Sequence, residues 1–231
     1  STQSIENYLP KGEGAAELLN LTNSAQMVLN THPVNHARIA RGDAPANSIW
    51  LWGQGRRPQM KTYREMYGIS GAVISAVDLI KGIGLCAGLD IIEVPGATGY
   101  LDTNYRGKAE YALEALKECD FVYVHVEAPD EAAHGGLLDE KIKAIESFDR
   151  EVVGTVVESM AQLGDCRLLV LPDHPTPVAK RTHTSDPVPY ILYDSRTNGS
   201  CGAAGYSELE AAKADSLIPG CQLLSTLLEQ K

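Results

Sequence analysis

Three short segments of this chain carry carboxylate and imidazole groups that a fold could gather: Glu127-Ala128-Pro129-Asp130-Glu131-Ala132-Ala133-His134, Pro172-Asp173-His174 and Arg181-Thr182-His183. Carboxylate oxygen and imidazole nitrogen suit first-row divalent ions such as manganese and zinc. Two such ions held close together steady both the attacking and the leaving oxygen of a displacement at phosphorus. Asp130, His134, Asp173, His174 and His183 are therefore the candidate ligands of a two-metal phosphoryl-transfer site. Asp-x-x-x-His alone carries little weight, because residues four apart share a helix face by geometry, and Asp173-His174 alone is no stronger. The weight comes from all three segments occurring in order in a chain with 6 histidines. The bland reading is that both aspartates cap helices and the histidines make ordinary hydrogen bonds.

The elements that must position these residues can be read from periodicity. Strands are predicted over residues 72–75, 90–94, 121–126 and 167–171, and helices over 77–86, 105–119 and 137–163. Such alternation indicates an α/β chain with a largely parallel, doubly wound sheet covered on both faces. In open α/β sheets ligands gather outside the carboxyl ends of the strands. The strand ending at Val126 runs into the Asp130/His134 segment and the one ending at Leu171 runs into Asp173-His174. His183 lies in a loop leading to a further strand over 188–193, placed at an edge by Pro189. The tail over 207–228 carries two short helical patterns broken by Pro219-Gly220. Before Gly71, a helix over 13–30 ends at Thr31-His32-Pro33, and an apolar strand over 48–52 delivers the basic loop Gly53-Gln54-Gly55-Arg56-Arg57-Pro58. The alternation of Trp50 and Trp52 is read as packing, with an indole framing the adjacent loop as the alternative. No internal repeat or low-complexity segment is present.

Composition bounds the function. The chain has 231 residues, 44% hydrophobic and 22% charged, enough to bury a substantial core. A formal net charge of -10 disfavours tracking of a nucleic-acid backbone or an anionic membrane, because the overall field repels phosphate polymers. The 5 cysteines form no CxxC pair and are expected to be reduced. Without an apolar run of roughly 20 residues or a leader-like start, a cytoplasmic protein is expected. No GxGxxG or GxxxxGK[ST] loop occurs, which argues against nucleotide binding.

A small anion would need cations around it, with Arg offering bidentate contacts. Arg56, Arg57 and Lys81 are the candidates, each weighed against a solvated surface charge, and Arg38 and Arg41 rank below them. His125, inside a strand, reads as a hydrogen-bonded core histidine rather than a ligand, and Glu127 is ambiguous. Ser185 is the serine nearest in sequence to a proposed ligand and a poor candidate nucleophile.

The runs HVEAPDEAAHGG, LPDHPTPVAKRTHTSDPVP, NSIWLWGQGRRP and GAVISAVDLIKGIGLCAGL closely resemble the archaeal-type, cofactor-independent phosphoglycerate mutases of the alkaline phosphatase superfamily. The resemblance covers nearly the whole chain. It implies interconversion of 3-phosphoglycerate and 2-phosphoglycerate through a phosphoserine, with two divalent metals, usually manganese, sometimes zinc, cobalt or magnesium. By matching motif, it implies that Asp130, His134 and His183 hold one metal and that Asp173 and His174 are part of the other site. It also implies a division into part of an inserted substrate-binding domain, residues 1–100, and the C-terminal part of a metal-binding phosphatase-like domain, residues 101–231. In that family the nucleophilic Ser and one metal-binding Asp lie upstream of the segment that residues 8–19 resemble. The chain starts at that segment, so the serine, that ligand and the first strand are expected to be absent from it, and the chain alone is expected to be inactive. The alternatives are a metal-dependent phosphatase or phosphotransferase of the same superfamily, and a catalytically silent metal-binding fragment.

Overall fold

The structure, a computed structural model, describes residues 4–53, 55–197, 202–214 and 217–228. It divides into two compact units, Ser1–Pro58 and Gln59–Lys231. In the first unit the apolar spacing of residues 13–30 becomes helix α1 (Ala15–Asn30). Helix α2 (Pro33–Ala40) opens with proline at its first turn, where the missing N–H costs nothing. The His32 ring accepts from the Val34 N–H there, supplying the cap. Among the described residues of this unit the buried one is polar: Asn35, 3% exposed. Its amide donates to the carbonyls of Leu29 and Ala46, both at 2.7 Å, and its Oδ1 accepts from the Ala46 N–H at 2.9 Å.

The strand expected over 48–52 does not form. Those residues lack regular structure, and Trp50 and Trp52 stand 48% and 81% exposed, so packing is not what explains their alternation. Apolar alternation needs a partner strand and a face to bury, and the described residues of this unit contain no second strand.

The second unit opens with α3 (Tyr63–Tyr67), whose Thr62 and Glu65 form a reciprocal capping box. Strand β1 (Gly71–Ile74) follows, buried along its whole length. Next come α4 (Asp78–Cys86), β2 (Asp90–Ile91), α5 (Tyr105–Ala115) and β3 (Phe121–Val124). The three strands form a parallel sheet in the order β2-β1-β3, with Val73 opposite both Ile91 and Tyr123. Helix α4 lies close on this sheet because residue 84 is glycine: a Cβ there would sit 2.8 Å from Val73 Cγ2. The strand predicted over 90–94 is shorter in the ladder, since the chain turns away at Pro95-Gly96, although the Ile92 N–H still bonds the Val73 carbonyl. β1 and β3, on either side of residue 100, are hydrogen-bonded neighbours.

Helix α6 (Ala128–Gly135) starts just past β3 and ends at Gly136 in the left-handed conformation, φ 75°. The single helix expected over 137–163 is three consecutive helical pieces: α7 (Leu138–Ser147), a π turn (Phe148–Val153) and α8 (Gly154–Leu163). Phe148 and Val152 of the π turn and Val156 of α8 pack in one cluster with Tyr105, Ala109, Ala128 and Ala144, joining α5, α6 and α7. Strand β4 (Arg167–Val170) pairs antiparallel with β5 (Ile191–Asp194) as a separate two-stranded sheet. Arg167 ties this pair to the tail, its guanidinium bonding Asp194 and the Leu227 carbonyl, both at 2.8 Å. The tail folds into α9 (Glu208–Ala211) and α10 (Gly220–Leu228), which buries Leu223. Cys86, Cys119, Cys166 and Cys221 are free thiols, and Cys201 lies outside the described residues. Among the described residues no helix is long and apolar enough to cross a membrane.

Asn35→Ala deletes three hydrogen bonds at once, each contributing about 0.5–1.5 kcal/mol net. Amide hydrogen exchange at Ala46 should lose its protection while exchange in β1 stays unchanged. Equal protection of Ala46 in the variant would show that Asn35 does not hold the first unit together.

Candidate metal centre

The end of β3 and the end of β4 reach the same place. After Val124 the chain keeps one more sheet-like bond, His125 N–H to the Ile74 carbonyl, and then enters α6. Pro129 in the first turn fixes the helix start, so that Asp130 and His134, four apart, project from one face. His134 Nε2 lies 3.2 Å from Asp130 Oδ2. After β4 the loop over residues 171–190 bends back on α6 and α7. Lys141 of α7 donates to the Thr176 carbonyl at 2.7 Å, and His134 Nδ1 meets the Arg181 carbonyl at 3.0 Å. That docking delivers the other imidazoles. His183 Nε2 is 3.4 Å from Asp130 Oδ1 and 3.0 Å from His134 Nε2, and the His174 and His183 rings lie 3.7 Å apart between centroids.

Asp130, His174 and His183 thus present ligand atoms within 4.8 Å of one another, with His134 on the same spot. Asp173 is one step further out. Its Oδ2 is 3.6 Å from His174 Nε2, its Oδ1 accepts from the His174 N–H, and its charge is felt at His125 and Glu127. All five residues singled out in the sequence lie in this one neighbourhood. The three proposed substrate cations stand differently. Arg56 and Arg57 are exposed in the first unit, beside Gln54, which is outside the described residues. Lys81 sits on α4 with both carboxylate oxygens of Glu93 at 2.8 Å from its Nζ. Ser185 is exposed.

The donor set suits a divalent cation on local grounds. His134 can offer Nδ1 to the Arg181 carbonyl only as N–H, which leaves Nε2 with a lone pair in the neutral ring. That lone pair points at another imidazole nitrogen and a carboxylate oxygen, an arrangement that a shared cation relieves. A carbonyl fixing the far nitrogen of a metal-binding histidine is the usual way of orienting such a ligand. The conformation of the carbonyl's owner is itself constrained. Arg181 has a positive φ of 52°, and its guanidinium rests where a Cβ on Gly136 would be, 2.5 Å from Nε.

Beneath the cluster is a layer made by His125 and Glu127 with Lys108 and Ser75, two residues that sequence reasoning does not single out. Lys108 is fully buried, and its Nζ donates to the His125 carbonyl at 3.0 Å. Burial pulls its ammonium down to about 8, with Glu127 acting in the opposite sense. The His125 ring meets the Ser75 hydroxyl through Nδ1 at 3.2 Å and Glu127 through Nε2 at 3.4 Å. Burial lowers the His125 pKa, opposed by the Asp173 charge. Burial also raises the Glu127 carboxyl above its ordinary range, and Asp130, Glu131 and Asp173 push the same way. A signal for Lys108 was available: Tyr105, Lys108, Ala109 and Ala112 recur at helical spacing, and all four are buried.

Residues 14–218 match the model of the metalloenzyme superfamily. The chain is 54% identical over 231 residues to a probable 2,3-bisphosphoglycerate-independent phosphoglycerate mutase of Geobacter sulfurreducens, covering all of this chain and 58% of that protein. It is 51% identical over 228 residues to a 2,3-bisphosphoglycerate-independent phosphoglycerate mutase of Methanosarcina acetivorans, covering 97% of this chain and 57% of the other. The chain therefore spans a little over half the length of these curated relatives. A solved structure of a Pyrococcus horikoshii protein superposes with a TM-score of 0.73 at 30% identity, over 90% of this chain and 54% of its own. The cofactor-independent phosphoglycerate mutase of Thermoplasma acidophilum gives 0.58 at 26% identity, over 94% and 52%.

Lys108 also carries a pH signature. Its folded pKa of about 8 lies below the ordinary 10.5, so between those values the unfolded chain binds more protons and stability rises with pH. The contribution is complete above 10.5 and is lost as pH falls through about 8. In urea melts from pH 7.5 to 10.5, wild type should gain stability relative to Lys108→Met. Parallel pH profiles for the two proteins would show that the buried amine does not carry this cost.

Proposed function

The chain belongs to the metalloenzyme superfamily, which implies divalent-metal binding, and on that premise we propose that it forms the metal-binding part of a 2,3-bisphosphoglycerate-independent phosphoglycerate mutase. The observation that carries the reading is the convergence of Asp130, His134, His174 and His183 from two strand ends, with Asp173 beside them. The names and identities of the relatives support the substrate, a phosphoglycerate.

In this reading two divalent ions, manganese by preference, are held at the cluster, Asp130, His134 and His183 binding one and Asp173 with His174 contributing to the other. Bound there, they would offset charge on the phosphoryl oxygens and lower the pKa of an oxygen nucleophile. The protein side of the chemistry is positional. The Arg181 carbonyl keeps His134 in the tautomer whose Nε2 faces the cluster. Lys141, whose pKa is lowered by burial and raised in part by Asp130, pins the loop that carries His174 and His183. The group passes to a serine and returns to the other hydroxyl, while cationic side chains retain the glycerate between the two transfers. Arg56, Arg57 and Lys81 are proposed for that role, Lys81 by exchanging Glu93 for the substrate. A soluble, cytoplasmic setting accords with a small phosphorylated substrate.

Two measurements test the reading. Calorimetric titration of metal-free protein with manganese should show binding that Asp130→Asn weakens by more than about 100-fold, beyond what loss of an outer partner usually costs. No binding by wild type would end the metal assignment. Incubation with 3-phosphoglycerate and manganese should equilibrate it with 2-phosphoglycerate in the protein carrying the full length of its relatives. Release of free phosphate in place of 2-phosphoglycerate would make the enzyme a hydrolase.

A further inference from the structure

Thr176 lies between Pro175 and Pro177 and is 4% exposed. Its hydroxyl touches both halves of the proposed centre, donating to Asp130 Oδ1 and lying 3.2 Å from His174 Nδ1. A threonine hydroxyl has one proton to give. An ionised carboxylate can only accept, so the proton is committed to Asp130. At His174 the same oxygen must then accept, which requires a proton on Nδ1 and, in the neutral ring, turns the Nε2 lone pair toward the Asp173 carboxylate 3.6 Å away, a pair that a cation would bridge. The Thr176 carbonyl, held by the Lys141 ammonium, prevents the residue from swinging out of this bridge.

We propose that Thr176 is the positioning residue of the metal centre: one hydroxyl sets the tautomer of His174 and the orientation of the Asp130 carboxylate, and so couples the two ion sites. This rests on the metal reading above, but half of it concerns the metal-free protein. Hydrogen-bond partners behind a ligand typically change metal affinity by about 10–100-fold, and here one partner serves two ligands.

Thr176→Val keeps the volume and removes the hydroxyl, Thr176→Ser keeps the hydroxyl, and Thr176→Ala is a second deletion should the valine variant fail to fold. Long-range proton–nitrogen correlation spectra of the nitrogen-15-labelled, metal-free protein read the histidine tautomers, with His174→Gln assigning the signal. In wild type and Thr176→Ser, His174 should carry its proton on Nδ1. In Thr176→Val the population should move toward the Nε2-protonated form. Manganese titrations followed by electron paramagnetic resonance should show affinity falling about 10–100-fold in Thr176→Val and recovering in Thr176→Ser. An unchanged tautomer overturns the proposal even if affinity falls, because the residue would then act by packing alone. Unchanged affinity with a changed tautomer also overturns it. If wild type binds no manganese, the metal reading itself fails, and the tautomer spectra alone decide whether Thr176 orients His174.

Discussion

The structure is organised around a crowding of negative charge and nitrogen lone pairs that the polypeptide cannot satisfy by itself. The Asp130 carboxylate is approached by two imidazole nitrogens and a hydroxyl, and carboxylate oxygens of Glu127 and Glu131 come within 4.8 Å of it. At an effective dielectric near 20, each like-charged pair at such a distance costs about 3–4 kcal/mol. Burial is the larger reason why the Glu127 carboxyl is pushed upward, and this repulsion adds to it. The repulsion also explains why a buried ammonium is tolerated nearby, since Lys108 sets a positive charge against the underside of the cluster. A divalent cation bound on the open side would complete the balance.

Holding such groups together demands a stiff support, and the fold supplies it with backbone more than with side chains. Three carbonyls serve as fixed acceptors: that of Arg181 for His134, that of His125 for Lys108 and that of Thr176 for Lys141. Each lies just beyond a strand or in the loop packed against α6, where carbonyls are not consumed by the ladder. Small residues let the layers approach closely. Ala128, Ala132 and Ala133 are buried on α6, and α5 packs through Ala109 and Ala112. Larger residues at those positions would lift α6, and with it Asp130 and His134, away from the loop that brings His174 and His183.

What could be read from the sequence divides along physical lines. The helices and parallel strands of the second unit were legible because each buries a face, and burial writes a period into the chain. The five cluster residues are legible because their chemistry and strand-end positions single them out in the sequence. Other features left no such trace. The apolar alternation of residues 48–52 looked like a strand, but pairing depends on a partner that a local pattern does not report. The antiparallel β4-β5 pair is a matter of long-range topology. The π turn at Phe148–Val153 depends on how the flanking helices fill the cluster around Tyr105, and no local residue type announces it. Thr176 leaves no trace in the sequence because a threonine between prolines reads as loop, and its contacts with Asp130 and His174 are made only by the folded chain.

The cluster is graded from dry to wet, and that gradient separates what the fold decides from what it leaves open. Lys108, Ser75 and Thr176 are buried, and the His125 side chain is 12% exposed. On the other side His134, His183 and Asp173 are 37%, 52% and 56% exposed. In the buried layer low polarity strengthens each hydrogen bond and makes an unpaired group expensive, so protonation states and ring orientations are set there by the protein. In the proposed function the exposed face is where water would be exchanged for phosphoryl oxygens at small cost, as binding, transfer and release require. A shared scaffold does not select its substrate. Selection among phosphorylated molecules must come from groups that meet the substrate beyond its phosphoryl oxygens, and cations able to grip a carboxylate have the chemistry for it.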